Sequence, residues 1–239
     1  MKRLLGFAWM IMCCPVVAWA VAEVPAKNPD APEACKGEWD EVCRFFDAPA
    51  AISKEAQFND HNSHPHFVTL KPLTFVGRDG VEWKAPKNTL TDGASIPEIL
   101  VPVIGNPTAD EFLEAGILHD AYSGFGNEAL DTYKSRHWED VHRMFYDALI
   151  VDGVPVQKAK IMFAAVYLAG PRWEDPGRDI SHVPRIRYLQ EMEWCVEWIT
   201  LMNPSRERIV EWMISREPVL VSPIHLLPDW DSLLSEQPE

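Results

Sequence analysis

Two short segments of the chain carry side chains that are suited to acid–base or metal chemistry. Asp92 precedes Gly93 in a predicted loop, and Gly93 is free to adopt positive φ, so backbone carbonyls there can turn toward a cation. His119 and Asp120 are neighbours near the end of a predicted helix. Adjacent helical residues point about 100° apart, so these two side chains would line two walls of one cleft. One can activate a water molecule while the other holds a metal ion, which is the chemistry of a metal-assisted hydrolase.

Three further side chains near these segments are candidates for supporting roles. Tyr122 and His142 are candidate orienting groups for His119. His142 falls on the inward face of the next predicted helix, where it is either a core histidine or a partner of His119. Ser95 would be a nucleophile in a strained strand-to-helix elbow, but its neighbours do not form one, and we expect it to cap a turn.

Three histidines crowd one polar segment: His61, His64 and His66. Such density is compatible with a zinc site. The segment contains no cysteine and no predicted secondary structure that would fix the ligand geometry, so we predict a solvated loop. An alternative function that would use one of these histidines is that of a transition-metal phosphohydrolase. Its metal ligands would be His119, Asp120, His142 and one of His64 or His66.

The elements that must position these groups begin with a β-hairpin. Residues 67–70 and 73–76 are rich in β-formers, residues 78–80 form a turn signal, and residues 81–84 return with alternating polarity. This pattern predicts a small hairpin just before the Asp92 loop.

From residue 108 onward the apolar periodicity is helical and predicts five helices. Thr108 and Glu111 form a capping box for the first, at residues 109–122. The second helix is expected to be capped by Ser135 and to end at Gly153, and the third to begin at Pro155 and end at Gly170. The fourth is expected at residues 183–202, with these side chains facing inward: Ile186, Leu189, Val196 and Ile199. The fifth is expected to begin at Pro204 and to end near Arg216.

The predicted fold class is therefore α+β and mostly helical, with a small β-hairpin followed by a bundle of about five helices. The chain divides as follows: a signal peptide at residues 1–20, an extended or irregular segment at 21–66 with a short helix around 38–46, a core domain at 67–173, and a C-terminal helical extension and strap at 174–239.

The first twenty residues have the features of an export signal. Lys2 and Arg3 precede an uncharged apolar run at residues 4–17, and small residues follow at the positions that a signal peptidase reads. Cleavage is expected near Ala20, or after Ala22 at an overlapping site. The apolar run is shorter than the ~20 residues of a membrane span, so we predict a periplasmic or secreted protein.

The net charge indicates which ligands the chain can bind, and the cysteines indicate where it can form a disulfide. The chain has 22 basic and 36 acidic residues, for a net charge of −14, which disfavours binding to nucleic acid and suits a hard cation such as calcium. Cys35 and Cys43 are close enough in sequence to form a disulfide in an oxidising compartment. Cys195 lies in an apolar helical pattern that predicts a buried free thiol.

Three segments together resemble a phage and bacterial family that is known as a domain of unknown function. They are T-D-G-A-S-I-P at residues 91–97, A-G-I-L-H-D at 115–120, and the helix at 142–149 followed by Gly153. The resemblance covers about residues 67–173. Members of the family often carry an aspartate where this chain has His142.

A more distant resemblance is to bacterial secretory phospholipase A2, through D-G-A-S at residues 92–95 and G-I-L-H-D at 116–120. In that family the histidine activates a water molecule, while the adjacent aspartate and the loop bind calcium. The resemblance implies that His119 is the general base, that Asp120 and Asp92 are calcium ligands, and that the substrate is a lipid or another envelope component.

This chain departs from the phospholipase pattern at three places. The two cysteines of the family's loop-to-helix disulfide are replaced together, by Ala94 and Gly116. The tyrosine expected four residues after the histidine is Ser123. The aspartate that orients the histidine has three candidate counterparts: Asp140, His142 and Asp147.

The leading hypothesis is a metal-dependent, calcium-using hydrolase outside the cytoplasm. The non-enzymatic rival is a cell-envelope or phage-derived interaction protein, in which the same residues only hold the loop to the helix. The two differ in geometry, since a hydrolase needs Asp92, His119 and Asp120 to converge on an open cleft, whereas the rival expects them to be buried and mutually satisfied.

Overall fold

The computed structural model describes residues 44–59, 62–77, 80–93 and 110–222. Several predictions fall outside these residues: the signal peptide, the Cys35–Cys43 disulfide, His61, Ser95, the Thr108 cap and the strap after residue 222.

Short strands form two three-stranded antiparallel sheets in the described part of the chain. One sheet has the order β1-β4-β5 and the other β2-β3-β6. The strands are β1 Arg44–Phe46, β2 Gln57–Asn59, β3 Asn62–Val68, β4 Leu73–Val76, β5 Glu82–Ala85 and β6 Leu90–Thr91.

The predicted hairpin is confirmed as β4–β5. Phe75 lies opposite Trp83, and these side chains together with Leu73 and Ala85 point into the core on alternate residues. Gly80 takes a positive φ of 75° in the connection, which is the conformation that its turn requires.

The segment predicted to be irregular contains β1, β2 and most of β3. Residues 44–46, expected at the end of a short helix, form β1 instead, because Phe45 lies opposite Phe75 and its ring packs 4.9 Å from that ring. The prediction of a solvated loop is wrong at His66, which is buried in β3 between β2 and β6. Pairing on both sides outweighs the low strand propensity of this polar sequence.

Five α-helices are present in the described residues, as predicted. They are α1 Leu113–Ser123, α2 Trp138–Val151, α3 Val156–Ala169, α4 Arg185–Met202 and α5 Arg206–Val221, with short 3-10 helices at Asp110–Phe112 and Pro176–Arg178. The α+β fold with a helical bundle is therefore confirmed. None of these helices is both long and apolar enough to cross a membrane.

Two helix ends differ from the prediction. The cap of α2 is His137, whose Nδ1 accepts from the N–H of Glu139, whereas Ser135 closes the preceding turn. Helix α5 runs through Pro218, because Arg187 of α4 donates to the carbonyl of Leu220 and so satisfies the end of the helix.

The residues that face inward on α4 also differ in part from the prediction. Ile186, predicted to face inward, is 61% exposed, because Met192, Cys195 and Ile199 define the buried stripe and Ile186 points away from it. Cys195 is a buried free thiol, as predicted, and burial raises its pKa to about 12.

The C-terminal helices are fastened to the core by a buried ionic network around Trp138. The guanidinium groups of Arg172 and Arg178 lie 5.0 Å and 5.1 Å from its ring centre. Glu217 of α5 binds both, at 2.8 Å and 2.7 Å respectively. Hydrogen bonding to Glu217 is the main cause that raises the pKa of Arg178. This network joins α5 to the ends of α2 and α3.

Candidate active site

Helices α1 and α2 bring two histidines into direct contact. Nε2 of His119 lies 3.0 Å from Nδ1 of His142, and the two rings are inclined by 28° with centres 5.2 Å apart. His142 is fully buried and also packs edge-on against Trp138. Both interpretations of His142 therefore hold, since it is a core residue and also the hydrogen-bonding partner of His119.

The far side of the His142 ring is closed by the end of α3. A Cβ atom on Gly170 would lie 2.8 Å from the ring and 2.3 Å from the carbonyl oxygen of Val166. Nε2 of His142 is buried and makes no hydrogen bond of normal geometry within the described residues. The backbone at Pro171 lies on this side and raises the pKa of His142 slightly against the larger effect of burial, which lowers it.

We expect Gly170→Ala to lower the free energy of unfolding by about 1–3 kcal/mol, because the added methyl group must displace backbone or the His142 ring. Gly177→Ala is the matched control. A Cβ atom there meets nothing closer than 3.7 Å, so the change should stay within about 0.5 kcal/mol. Urea unfolding measures both, and equal midpoints for the two variants would contradict the predicted clash.

Asp120 is held by the strand that leads to Asp92. Its Oδ2 accepts from the hydroxyl of Thr91 at 2.6 Å, its carboxylate also accepts from the backbone N–H of Asp92, and Thr91 in turn accepts from the N–H of Gly93. Burial and the negative charge of Asp92 raise the pKa of Asp120 well above its ordinary value, and its hydrogen bonds only partly oppose this.

His119 is neutral at neutral pH. Burial lowers its pKa to about 4, and the charge of Asp92 acts in the opposite direction. Its Nδ1 is 4.0 Å from Oδ1 of Asp120, too far for a hydrogen bond. Asp92, His119 and Asp120 thus share one region, as a hydrolase requires, but His119 and Asp120 are only 9% and 4% exposed, which is the burial that the non-enzymatic interpretation expects.

A buried amide that the sequence analysis missed completes this region. Asn127 accepts from the N–H of Leu90 at 2.8 Å, and it donates to the carbonyls of Leu90 at 2.7 Å and Asp120 at 2.9 Å. Gly126 precedes it with a φ of 87°. The signal in the sequence was an asparagine directly after a glycine-containing turn, where such side chains bond to backbone.

His66 lies near Asp120, where its charged form would lower the pKa of that carboxyl. Nδ1 of His66 is buried and has no hydrogen-bond partner within the described residues. The structure does not describe the side chain of His64. His66, the histidine of this group whose side chain the structure describes, thus lies beside the candidate site.

Tyr122 faces the hairpin. Its hydroxyl accepts from the N–H of Lys84 at 3.1 Å, and its ring packs edge-on against Trp83. Ser123 lies at the position of the expected tyrosine, where its hydroxyl donates to the carbonyl of His119 and comes within 3.3 Å of Nδ1. An orienting role of Tyr122 at His119 stays a prediction.

The structure also distinguishes the three candidates for orienting His119. Asp140 is exposed and lies 3.5 Å from Arg143. Asp147 forms an ion pair with Arg206 at 2.9 Å. His142 is the candidate that contacts the imidazole.

The side chains of the described residues do not by themselves make a complete metal site. No group of three or more histidine, cysteine, aspartate or glutamate side chains in this part of the chain is arranged to hold a metal ion. Any cation bound by Asp92 and Asp120 would need backbone carbonyls or water as further ligands.

Residues 67–166 match the family described as Protein of unknown function (DUF1353), which confirms the resemblance to a domain of unknown function. Uncharacterized protein y4iH of Sinorhizobium fredii (strain NBRC 101917 / NGR234) is 42% identical over 108 residues, which cover 45% of this chain and 42% of that protein. Uncharacterized protein y4jT of the same strain is 37% identical over 117 residues, 49% of this chain and 32% of that protein. The chain therefore spans less than half the length of these relatives. No solved structure matches the protein.

Proposed function

We propose that the protein is a hydrolase acting outside the cytoplasm, with His119 as its general base. The observation that carries the proposal is the 3.0 Å contact between Nε2 of His119 and Nδ1 of His142. If Nε2 donates this hydrogen bond, Nδ1 of His119 carries the lone pair, and a water molecule that bound there would take the place of the Ser123 hydroxyl, which lies 3.3 Å from it. His142 would then orient the imidazole of His119, which is the role of the aspartate in the phospholipase A2 pattern.

The backbone at Pro171 favours this tautomer. This backbone raises the pKa of His142, as a carbonyl that accepts from an imidazole N–H does, and Nε2 is the ring nitrogen that has no hydrogen-bond partner among the described residues. His142 would then accept at Nδ1 and present its N–H to the backbone. The charge of Asp92, which raises the pKa of His119, would stabilise the imidazolium that forms when the base takes its proton.

Asp92 and Asp120 are the proposed ligands of a calcium ion. Two carboxylates that share a partly buried region repel one another, and the raised pKa of Asp120 reflects both this repulsion and burial. A divalent cation between them would favour the ionised forms. Carbonyls of the Asp92 loop would supply further ligands, and a lipid or other envelope ester is the proposed substrate class.

A transition-metal phosphohydrolase is the second candidate, and the buried Nδ1 of His66 favours it. That nitrogen has no hydrogen-bond partner within the described residues and lies near Asp120. His66 and Asp120 would then contribute ligands for zinc or manganese, with water or substrate oxygens at the other positions, since no three such side chains of the described residues are arranged around one ion. His142 would remain the partner of His119. The metal that binds distinguishes this candidate from the first.

The test is hydrolysis of phospholipid vesicles by the full chain, with calcium or with a chelator. His119→Gln should reduce a calcium-dependent rate by at least about a hundredfold, the usual contribution of a general base. His182→Gln changes an exposed histidine and should leave the rate unchanged. Equal rates for the two variants would contradict the role of His119.

Thermal unfolding with each metal tests the cation separately. A metal that binds the native state stabilises it by about 2.7 kcal/mol at a hundredfold excess over Kd, and Asp120→Asn should abolish this gain. A gain with zinc or manganese but not with calcium supports the second candidate. If no metal shifts the midpoint and no ester is hydrolysed, the buried dyad is structural and the non-enzymatic interpretation replaces both.

A further inference from the structure

A cleft of about 340 Å³ lies between the β4–β5 hairpin, α2 and the start of α5. Asp92, His119, Asp120 and His142 do not line it, whereas Asp140 and Asp147, the two carboxylates that do not contact His119, lie in its walls. Its walls carry three arginines, namely Arg136, which precedes α2, Arg143 on α2 and Arg206 at the first turn of α5. Three guanidinium groups around one cleft contrast with the net charge of −14 of the chain as a whole.

Two of these arginines have carboxylate partners. Arg206 binds Asp147 at 2.9 Å, and both side chains are largely buried. Arg143 binds Glu139 at 2.9 Å and lies at a longer distance of 3.5 Å from the exposed Asp140. Asp140 can therefore leave Arg143 at little cost, because exposed ion pairs contribute little to stability.

Arg136 is different from the other two. Its guanidinium lies 5.5 Å from the ring centre of Trp83, and it forms no ion pair with another described residue. The side chain is exposed. Among the described residues, no carboxylate competes with a ligand for its hydrogen-bond donors at the mouth of the cleft.

The cleft also has an apolar wall. Trp83 and Met144 are buried side chains whose remaining exposed surface lines the cavity, together with Val81. A volume near 340 Å³ is at the lower end of the range for small-molecule pockets and larger than an inorganic anion needs. The cleft therefore offers charge at one side and apolar surface at the other.

We propose that this cleft binds a phosphate ester, with the phosphate between Arg136 and Arg143 and the carbon portion against Trp83 and Met144. Phosphate suits the site better than carboxylate, because its oxygens are arranged tetrahedrally and can accept from arginines that approach from different directions. The second negative charge of a phosphomonoester also competes better with Asp140 for Arg143. Binding here does not depend on His119, so it can succeed or fail independently of the proposed hydrolase.

Phosphate groups can come from a soluble ester or from a lipid headgroup, and the experiment separates the two. The full chain is titrated calorimetrically with glycerol phosphate, inorganic phosphate and acetate, and sedimented with vesicles of phosphatidylcholine with or without phosphatidic acid. Binding of glycerol phosphate supports a soluble ligand. Binding to phosphatidic acid vesicles alone supports a lipid headgroup as the source.

Arg136→Gln should weaken the observed binding roughly tenfold or more, the usual effect of losing a hydrogen bond to a charged group. Arg208→Gln is the matched control, because Arg208 is a highly exposed arginine on α5 that pairs only at the surface with Glu211. Unchanged urea midpoints confirm that both variants fold. Three results would overturn the proposal: equal binding by both variants, acetate binding as tightly as phosphate, or no binding of any phosphate compound.

Discussion

Glu217→Gln is expected to lower the free energy of unfolding by about 3 kcal/mol. The substitution keeps the shape of the side chain but removes the one carboxylate that binds both Arg172 and Arg178. The side chain of Arg172 is 1% exposed, so its charge would remain buried with only neutral acceptors, namely backbone carbonyls and the amide oxygen of the new glutamine. Urea unfolding followed by circular dichroism measures the change.

Glu211→Gln is the control for this prediction. It is also a glutamate of α5 that pairs with an arginine, Arg208 at 3.0 Å, but both side chains are highly exposed. We expect a change within about 0.5 kcal/mol. Similar losses in both variants would show that the Glu217 network is no more important to the fold than a surface pair.

Acidification from about pH 7 to about pH 4 is expected to remove about 3 kcal/mol of stability through His119. Its pKa is 6.5 in the unfolded chain and about 4 in the fold, so the unfolded chain takes up the proton first as the pH falls. The stability that depends on neutral His119 is fully present above pH 6.5 and is lost as the pH falls toward 4. His142 acts with the same sign, since burial lowers its pKa as well.

The titration of Asp120 changes the stability in the opposite direction. Its raised pKa means that its contribution to stability is present at low pH and is lost as the pH rises through the folded pKa. Urea unfolding of the wild type and His119→Gln across this range separates the effects, because both proteins keep Asp120 and His142. The variant should show the flatter dependence, and parallel curves would mean that His119 titrates alike in the folded and unfolded chains.

The sequence predicted those elements whose side chains follow a clear period. The hairpin alternates strongly enough to identify β4 and β5, and the helices from α1 onward have apolar stripes. The strand β3 could not be identified, because N-S-H-P-H-F-V has low strand propensity and becomes a strand by pairing with β2 and β6. The pairing with β6, in which Phe67 lies opposite Thr91, joins segments that are distant in sequence and has no local signal.

The sequence identified the residues of the candidate site but not the contacts between their side chains. His119, Asp120 and Asp92 were identified as a group, and their proximity follows from the contact between β6 and α1. The partner of His119 was left open among three residues, since the rotation of α2 about its axis decides which one points inward. His66 was assigned to solvent, because the strand that buries it was not recognised.

Asn127 has a consequence for how the candidate site would work. Its side chain bonds to strand β6 as another strand would, and it also bonds to the last turn of α1. Together with the bond from Thr91 to Asp120, this joins the strand that leads to Asp92 to the helix that carries His119. The two segments form a preorganised frame, so a substrate would meet these groups already in register and would not have to assemble them by induced fit.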